Sequence, residues 1–79
     1  MNPDYLKLAQ IAYDTVLQTM MEGEKTHTAD EWKLMGIQYH KRHALQHAEK
    51  LYTGDNSEKH DDNCMTRCAM IKYLEDERK

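Results

Sequence analysis

The sequence predicts an all-α protein: a three-helix protomer that assembles with copies of itself into a multi-helix bundle. Three observations predict it. Apolar residues recur at three- and four-residue spacing through three segments, and no alternating stretch suggests a strand. Capping residues bracket those segments at short intervals, as in a helical bundle. The apolar content is also thin for so short a chain: 39% hydrophobic, 32% charged, no Phe, and a mean hydropathy of -0.99 over 79 residues. A domain of this size buries only roughly 60% of the surface its unfolded chain exposes. Disulfides, a metal or oligomerisation usually supply the difference, and amphipathic helices that share faces between copies do so here.

The first helix is expected over 3–22. Asn2 caps it and Pro3 takes the first helical position, where a missing N–H costs nothing. Its stripe is Tyr5, Leu8, Ala9, Ala12, Val16 and Met20, widened by Leu6, Tyr13 and Leu17, and Gly23 ends it. After the polar connection Glu24–His27, Thr28 and Glu31 match a capping box for a second helix over 29–52. That helix carries Leu34, Ile37, Ala44, Leu45, Ala48, Leu51 and Tyr52, with Gly36 weakening its first turns and Gly54 stopping it in a left-handed cap. Ser57 is the expected N-cap of a third helix over 58–77, striped by Cys64, Cys68, Ile71 and Leu74 with Met65 at one edge. Its charged end, Glu75–Lys79, is expected to fray in solvent. Residues 1–79 form a single domain.

The net charge of -3 argues against a generic duplex-DNA binder, which carries a basic footprint. The start of the chain has no basic, apolar signal pattern, and no apolar run approaches the ~18 residues of a membrane span. Cys64 and Cys68 read as free thiols of a reducing compartment, so a cytoplasmic protein is expected.

Polar residues on helix faces are the candidates for chemistry. His40, His43 and His47 share one side of the second helix, bordering its apolar stripe. They read as amphipathic boundary residues or as part of a metal site, which needs three or four converging ligands. His60, Cys64 and Cys68 align on the third helix, but that strip spans about 12 Å, too long for one ion, and buried inert cysteines account for it. Lys41 falls within the apolar stripe, among Ile37, Ala44, Leu45 and Ala48. Asp61 poses the mirror problem on the third helix, with Arg67 on the other flank. Either Lys41 and Asp61 pair across the helices, or a polar pocket takes a phosphorylated ligand. Trp32 is a packing residue or a platform for a flat base. Mg²⁺ chemistry on phosphates asks for converging carboxylates, for which Glu58, Asp61 and Asp62 are candidates. No paired Glu-x-x-Glu and Glu-x-x-Asp motifs are present.

The stretch from Trp32 to Glu75 carries a recognisable order of short motifs. Trp32 is followed by Ala44-Leu45-Gln46-His47, then Gly54-Asp55, the acidic turn Ser57-Glu58, His60-x-x-Asn63 and a closing Leu74-Glu75. This order resembles a phage-borne family, the N-terminal domain of dATP/dGTP diphosphohydrolases, broadly similar to the MazG-like all-α nucleotide pyrophosphohydrolases. The resemblance implies a phage or bacterial source, an all-α oligomer and purine nucleotide ligands. Gln46 stands where that family usually has Arg, Asn63 where it has a second His, and Arg67 where Asn is frequent.

Three functions are therefore in view. The first is a small nucleotide-binding protein without turnover, sequestering a nucleotide or nucleotide-derived signal in the host cytoplasm. It would use Trp32, Lys41, Arg42, His43, His47, His60 and Arg67 and no cofactor. The second is an Mg²⁺-dependent dNTP pyrophosphohydrolase, with Glu58, Asp61 and Asp62 holding the metal. The third is an interaction module that inhibits a host enzyme. The departures from the family pattern and the missing carboxylate pairs favour binding over catalysis.

Overall fold

A computed structural model describes residues 1–78, and four helices rather than three make up the chain. α1 spans Pro3–Gly23, α2 Glu31–Leu34, α3 Ile37–Thr53 and α4 His60–Glu77. No strand occurs among the described residues. The last residue of the expected fraying end, Lys79, lies outside them, and the rest of that end is exposed.

The start of α1 follows the sequence: Asn2 Oδ1 accepts from the Asp4 amide at 2.8 Å and Pro3 opens the helix. The expected second helix is broken. Gly36 has φ +81 and ψ 159, outside any helical region, and it caps α3 rather than lying inside a longer helix. Only glycine enters that region without strain. The expected capping box does not form: Asp30 precedes α2 without a side-chain cap bond, and Glu31 pairs instead with His27 at 3.1 Å. Gly54 closes α3 in the left-handed conformation, at φ 83 and ψ 19. α4 begins at His60, two residues later than expected. Ser57 is drawn into the preceding turn, where its amide donates to Asp55 Oδ1 at 2.8 Å.

α4 is the common wall. α3 packs along it most extensively, while α1 and the single turn of α2 touch it over shorter stretches. α1 meets no other helix among the described residues. The radius of gyration, 13.4 Å, exceeds the about 11.6 Å of a compact domain of this length. Among the described residues no hydrophobic side chain is fully buried; the buried residues are His40, His60 and Thr66. The apolar stripe read from α1 is largely uncovered, with Tyr5 and Leu8 each 64% exposed.

The α3 face that meets α4 also differs from expectation. His40 is buried and His43, Ala44 and His47 are half-buried, whereas Lys41, Leu45 and Ala48 are exposed. The histidines form the seam itself, and Lys41 lies on the solvent side. No ion pair joins Lys41 to Asp61 among the described residues. Cys64 is half-buried and Cys68 exposed, both as free thiols, so neither is the fully buried cysteine expected.

Candidate functional site

The α3–α4 seam is held by polar groups. The break at Gly36 lets α2 fold back so that the Trp32 carbonyl meets the His40 ring, with Nε2 2.7 Å from the oxygen. The other ring nitrogen, Nδ1, lies 2.9 Å from Arg67 Nη1 on α4. A guanidinium has no acceptor, so Nδ1 must accept and Nε2 must carry the hydrogen that goes to Trp32. One neutral tautomer satisfies both contacts.

Arg67 is the chemically exposed end of this chain of bonds. Its guanidinium lies over the Tyr39 ring, with Cζ 5.5 Å from the centroid. Burial pulls its pKa down while the Tyr39 hydroxyl opposes that shift. Arginine remains charged through any such shift. No carboxylate pairs with it among the described residues. A half-buried cation whose partners are a neutral imidazole and an aromatic face retains donors for an anion.

Those donors border a cleft of about 480 Å³ between the end of α1, the 24–31 connection, α2 and the first turns of α4. Trp32, Tyr39, Asn63, Thr66 and Arg67 line it with Met20 and Met70, and four carboxylates, of Glu22, Glu24, Glu31 and Glu58, line it as well. Trp32 is steadied edge-on by Tyr73, at 5.2 Å between centroids, and has Lys33 Nζ 5.9 Å from its own ring. Both aromatic and cationic groups therefore meet one concavity.

Two turns further along the seam lies a second cluster. His47 Nδ1 and His60 Nδ1 are 2.9 Å apart, and His60 Nε2 faces Asp55 Oδ2 across 3.8 Å. His47, Glu58 and His60 each bring a possible ligand atom within 4.8 Å of the others. Burial lowers the His47 pKa, helped by the neighbouring His60 and opposed by Glu58. His43 is lowered too, by burial first and then by Arg67, His40 and Arg42.

No protein-family model, curated protein or solved structure matches this chain. Its site is therefore read from its own residues. Of the ligand-binding candidates, Trp32 and Arg67 line the cleft, and His43, His47 and His60 lie along the adjoining seam. Lys41 and Arg42 are exposed on α3 and do not line it. Of the carboxylates, Glu58 joins two histidines, while Asp61 Oδ1 accepts from the Asp62 amide at 2.9 Å and neither aspartate enters that group. Tyr39 was not singled out by sequence reasoning, and Asp55 entered only as part of the Gly54-Asp55 motif. His40 was grouped with His43 and His47 as a boundary residue or metal ligand, whereas the structure buries it as the link between Trp32 and Arg67.

Proposed function

We propose that this chain is a nucleotide-binding protein without turnover, acting as a homo-oligomer and taking a purine nucleotide or nucleotide-derived signal in the Arg67 cleft. The observation that carries the reading is the arginine itself. Arg67 is half-buried beside aromatic residues, is oriented by His40, and has no carboxylate partner among the described residues. Phosphate oxygens match a guanidinium fork, and Trp32 and Tyr39 offer faces for a base. The resemblance of the Trp32–Glu75 stretch to the dATP/dGTP diphosphohydrolase N-terminal family supports purine nucleotides as the ligand class. Asp61 and Asp62 stand apart from the group that contains Glu58, which favours holding over hydrolysis. The reading makes the protein a phage-encoded sequestering module of the host cytoplasm. No helix among the described residues is long and apolar enough to cross a membrane.

Association with copies of itself follows from the lack of a core. No apolar side chain is fully buried among the described residues, and a shared interface is one source of the energy that normally offsets chain entropy.

A thermal-shift panel of purine and pyrimidine nucleotides, with inorganic phosphate as reference, tests the ligand. A nucleotide at 100 times its Kd adds about 2.7 kcal/mol of stability. Arg67→Met should weaken that nucleotide's binding by about tenfold or more, since a hydrogen bond to a charged group contributes about 1.5–3 kcal/mol. Pyrophosphate release from dNTPs with Mg²⁺ should stay at background. A panel in which nothing shifts the melting curve, or turnover lost in Asp61→Ala, would reject the proposal.

A further inference from the structure

The second polar cluster of the seam shares Glu58 with the lining of the anion cleft, while its two histidines lie outside that lining. It joins three separate pieces of the chain: His47 near the end of α3, Glu58 in the connection, and His60 at the start of α4. Two imidazoles facing each other through like nitrogens can share only one hydrogen between them. The Nδ1 pair is 2.9 Å apart, so in the free protein one ring donates and the other accepts. His60 Nε2 is buried with no hydrogen-bond partner, and the nearest carboxylate oxygen, of Asp55, lies 3.8 Å away. A hydrogen on Nε2 is drawn toward that carboxylate, which leaves the Nδ1 lone pair of His60 pointing at His47. Metal-binding histidines typically have a carboxylate behind the ring and the other nitrogen free; here Asp55 stands 3.8 Å behind the unpartnered Nε2, within reach of a small side-chain shift.

We propose that His47, Glu58 and His60 form a binding site for a zinc-class divalent ion that fastens the α3–α4 connection. Two imidazoles and a carboxylate are ligands for a first-row ion of this kind, whereas Mg²⁺ prefers an all-oxygen, hydrated shell. The spacing fits: bonds of ~2.0–2.1 Å put two nitrogens about 3.3 Å apart in a tetrahedral site. The Nδ1 pair reaches that from 2.9 Å by small ring rotations. On binding, both Nδ1 atoms bond the ion, and the hydrogen between them transfers through solvent to His47 Nε2. Asp55 stays behind His60 as a positioning group, and the fourth position remains for water. The physical use of such an ion is plain in a chain without an apolar core, because binding energy gained only by the folded form is folding energy. The proposal stands whether or not the cleft takes a nucleotide.

The test is titration of the full chain with Zn²⁺ against a competing chelator dye, repeated with Co²⁺ for its visible absorption. One ion per chain is expected, with a raised melting temperature and a cobalt spectrum lacking thiolate charge-transfer bands. Glu58 is exposed, so Glu58→Gln should fold normally and weaken affinity by about tenfold or more. His47→Gln should do the same, and His27→Gln should have no effect. Failure to bind Zn²⁺ would overturn the proposal. So would affinity unchanged in both Glu58→Gln and His47→Gln, or affinity lost instead in Cys64→Ser with Cys68→Ser. Because no nucleotide is present, a negative result here leaves the Arg67 reading intact, and the reverse holds.

Discussion

His40→Leu removes a side chain that ties α2, α3 and α4 together, and its cost can be worked from two distances. The ring is fully buried and makes contacts of 2.7 Å to the Trp32 carbonyl and 2.9 Å to Arg67 Nη1. Leucine keeps much of the volume but leaves the guanidinium short of an acceptor and the Trp32 carbonyl with only its longer bond from the Met35 amide, at 3.4 Å. Each buried group so stranded costs about 1–3 kcal/mol, the charged one more. Arg67 sits beside a cleft and can turn toward water, which lowers its share, so about 2–4 kcal/mol is expected in total. A domain of this length has on the order of 4–12 kcal/mol to lose, and its melting temperature should fall by about 4–8 °C per kcal/mol. Urea unfolding followed by circular dichroism, at fixed protein concentration, measures the change. The decisive quantity is the coupling in a double-mutant cycle with Arg67→Met. Residues bonded as these are should couple by about 0.5–3 kcal/mol. Additivity within measurement error would mean that the His40–Arg67 bond does not hold the seam, and the argument that His40 orients Arg67 for an anion would fail with it.

Other perturbations separate the remaining claims. Gly36→Ala should destabilise by about 1–3 kcal/mol, because φ +81 with ψ 159 is strained for an L residue although its Cβ would meet no atom within 4 Å. Gly23→Ala, inside α1 and equally unobstructed, should instead stabilise by up to about 1 kcal/mol, so paired melts must move in opposite directions. The folded His43 pKa lies below its ordinary 6.5, so the unfolded chain binds the proton first. Its contribution is whole above pH 6.5 and is lost as pH falls below that value; melting against pH should show the decline, reduced in His43→Gln. Lys41→Gln should change stability by no more than about 0.5 kcal/mol and leave nucleotide binding alone, since the residue is exposed and off the cleft. Leu8→Asp should abolish a concentration dependence of the melting temperature and of light scattering, whereas concentration-independent melting of the parent chain would remove the case for an oligomer.

The sequence carried the first helix almost to the residue, because Asn2 and Pro3 are strong local signals that tertiary contacts do not overrule; Gly23, expected to end it, is instead its last helical residue, without the positive φ of a glycine cap. It misjudged the middle of the chain for two reasons. Gly36 was weighed only as a poor helix former, but its φ of +81 reverses the backbone and returns α2 toward α4. The buried face of α3 was assigned from aliphatic residues, and the aliphatic residues Leu45 and Ala48 proved exposed. Periodicity had placed His40, His43 and His47 on one side correctly. It could not reveal that this side faces inward, since imidazoles score as polar whether or not a partner waits for each nitrogen. Arg67 and Trp32 were legible as cation and aromatic, but their meeting at one cleft depends on the turn at Gly36. Glu58, His47 and His60 converge only because Gly54 folds the connection back, which residue spacing along the chain does not express.

A polar seam and an absent apolar core fit together as two halves of one design. From His40 to His47 is seven residues along α3, and from Arg67 back to His60 is seven along α4, so both cross-helix pairs form in a single antiparallel alignment. Between them Cys64 Sγ reaches the Ala44 carbonyl at 3.5 Å in the same register. A slip of one turn, about 5.4 Å, would separate every one of these partners and leave a guanidinium and three imidazoles unsatisfied. Apolar contacts tolerate such a slip far better, because they carry no direction. The seam therefore selects the alignment while contributing little net energy, as buried polar pairs generally do. The large apolar side chains carry no part of that selection: Tyr5, Leu8 and Ile11 of α1, Leu34 of α2, and Leu45 and Tyr52 of α3 all remain exposed.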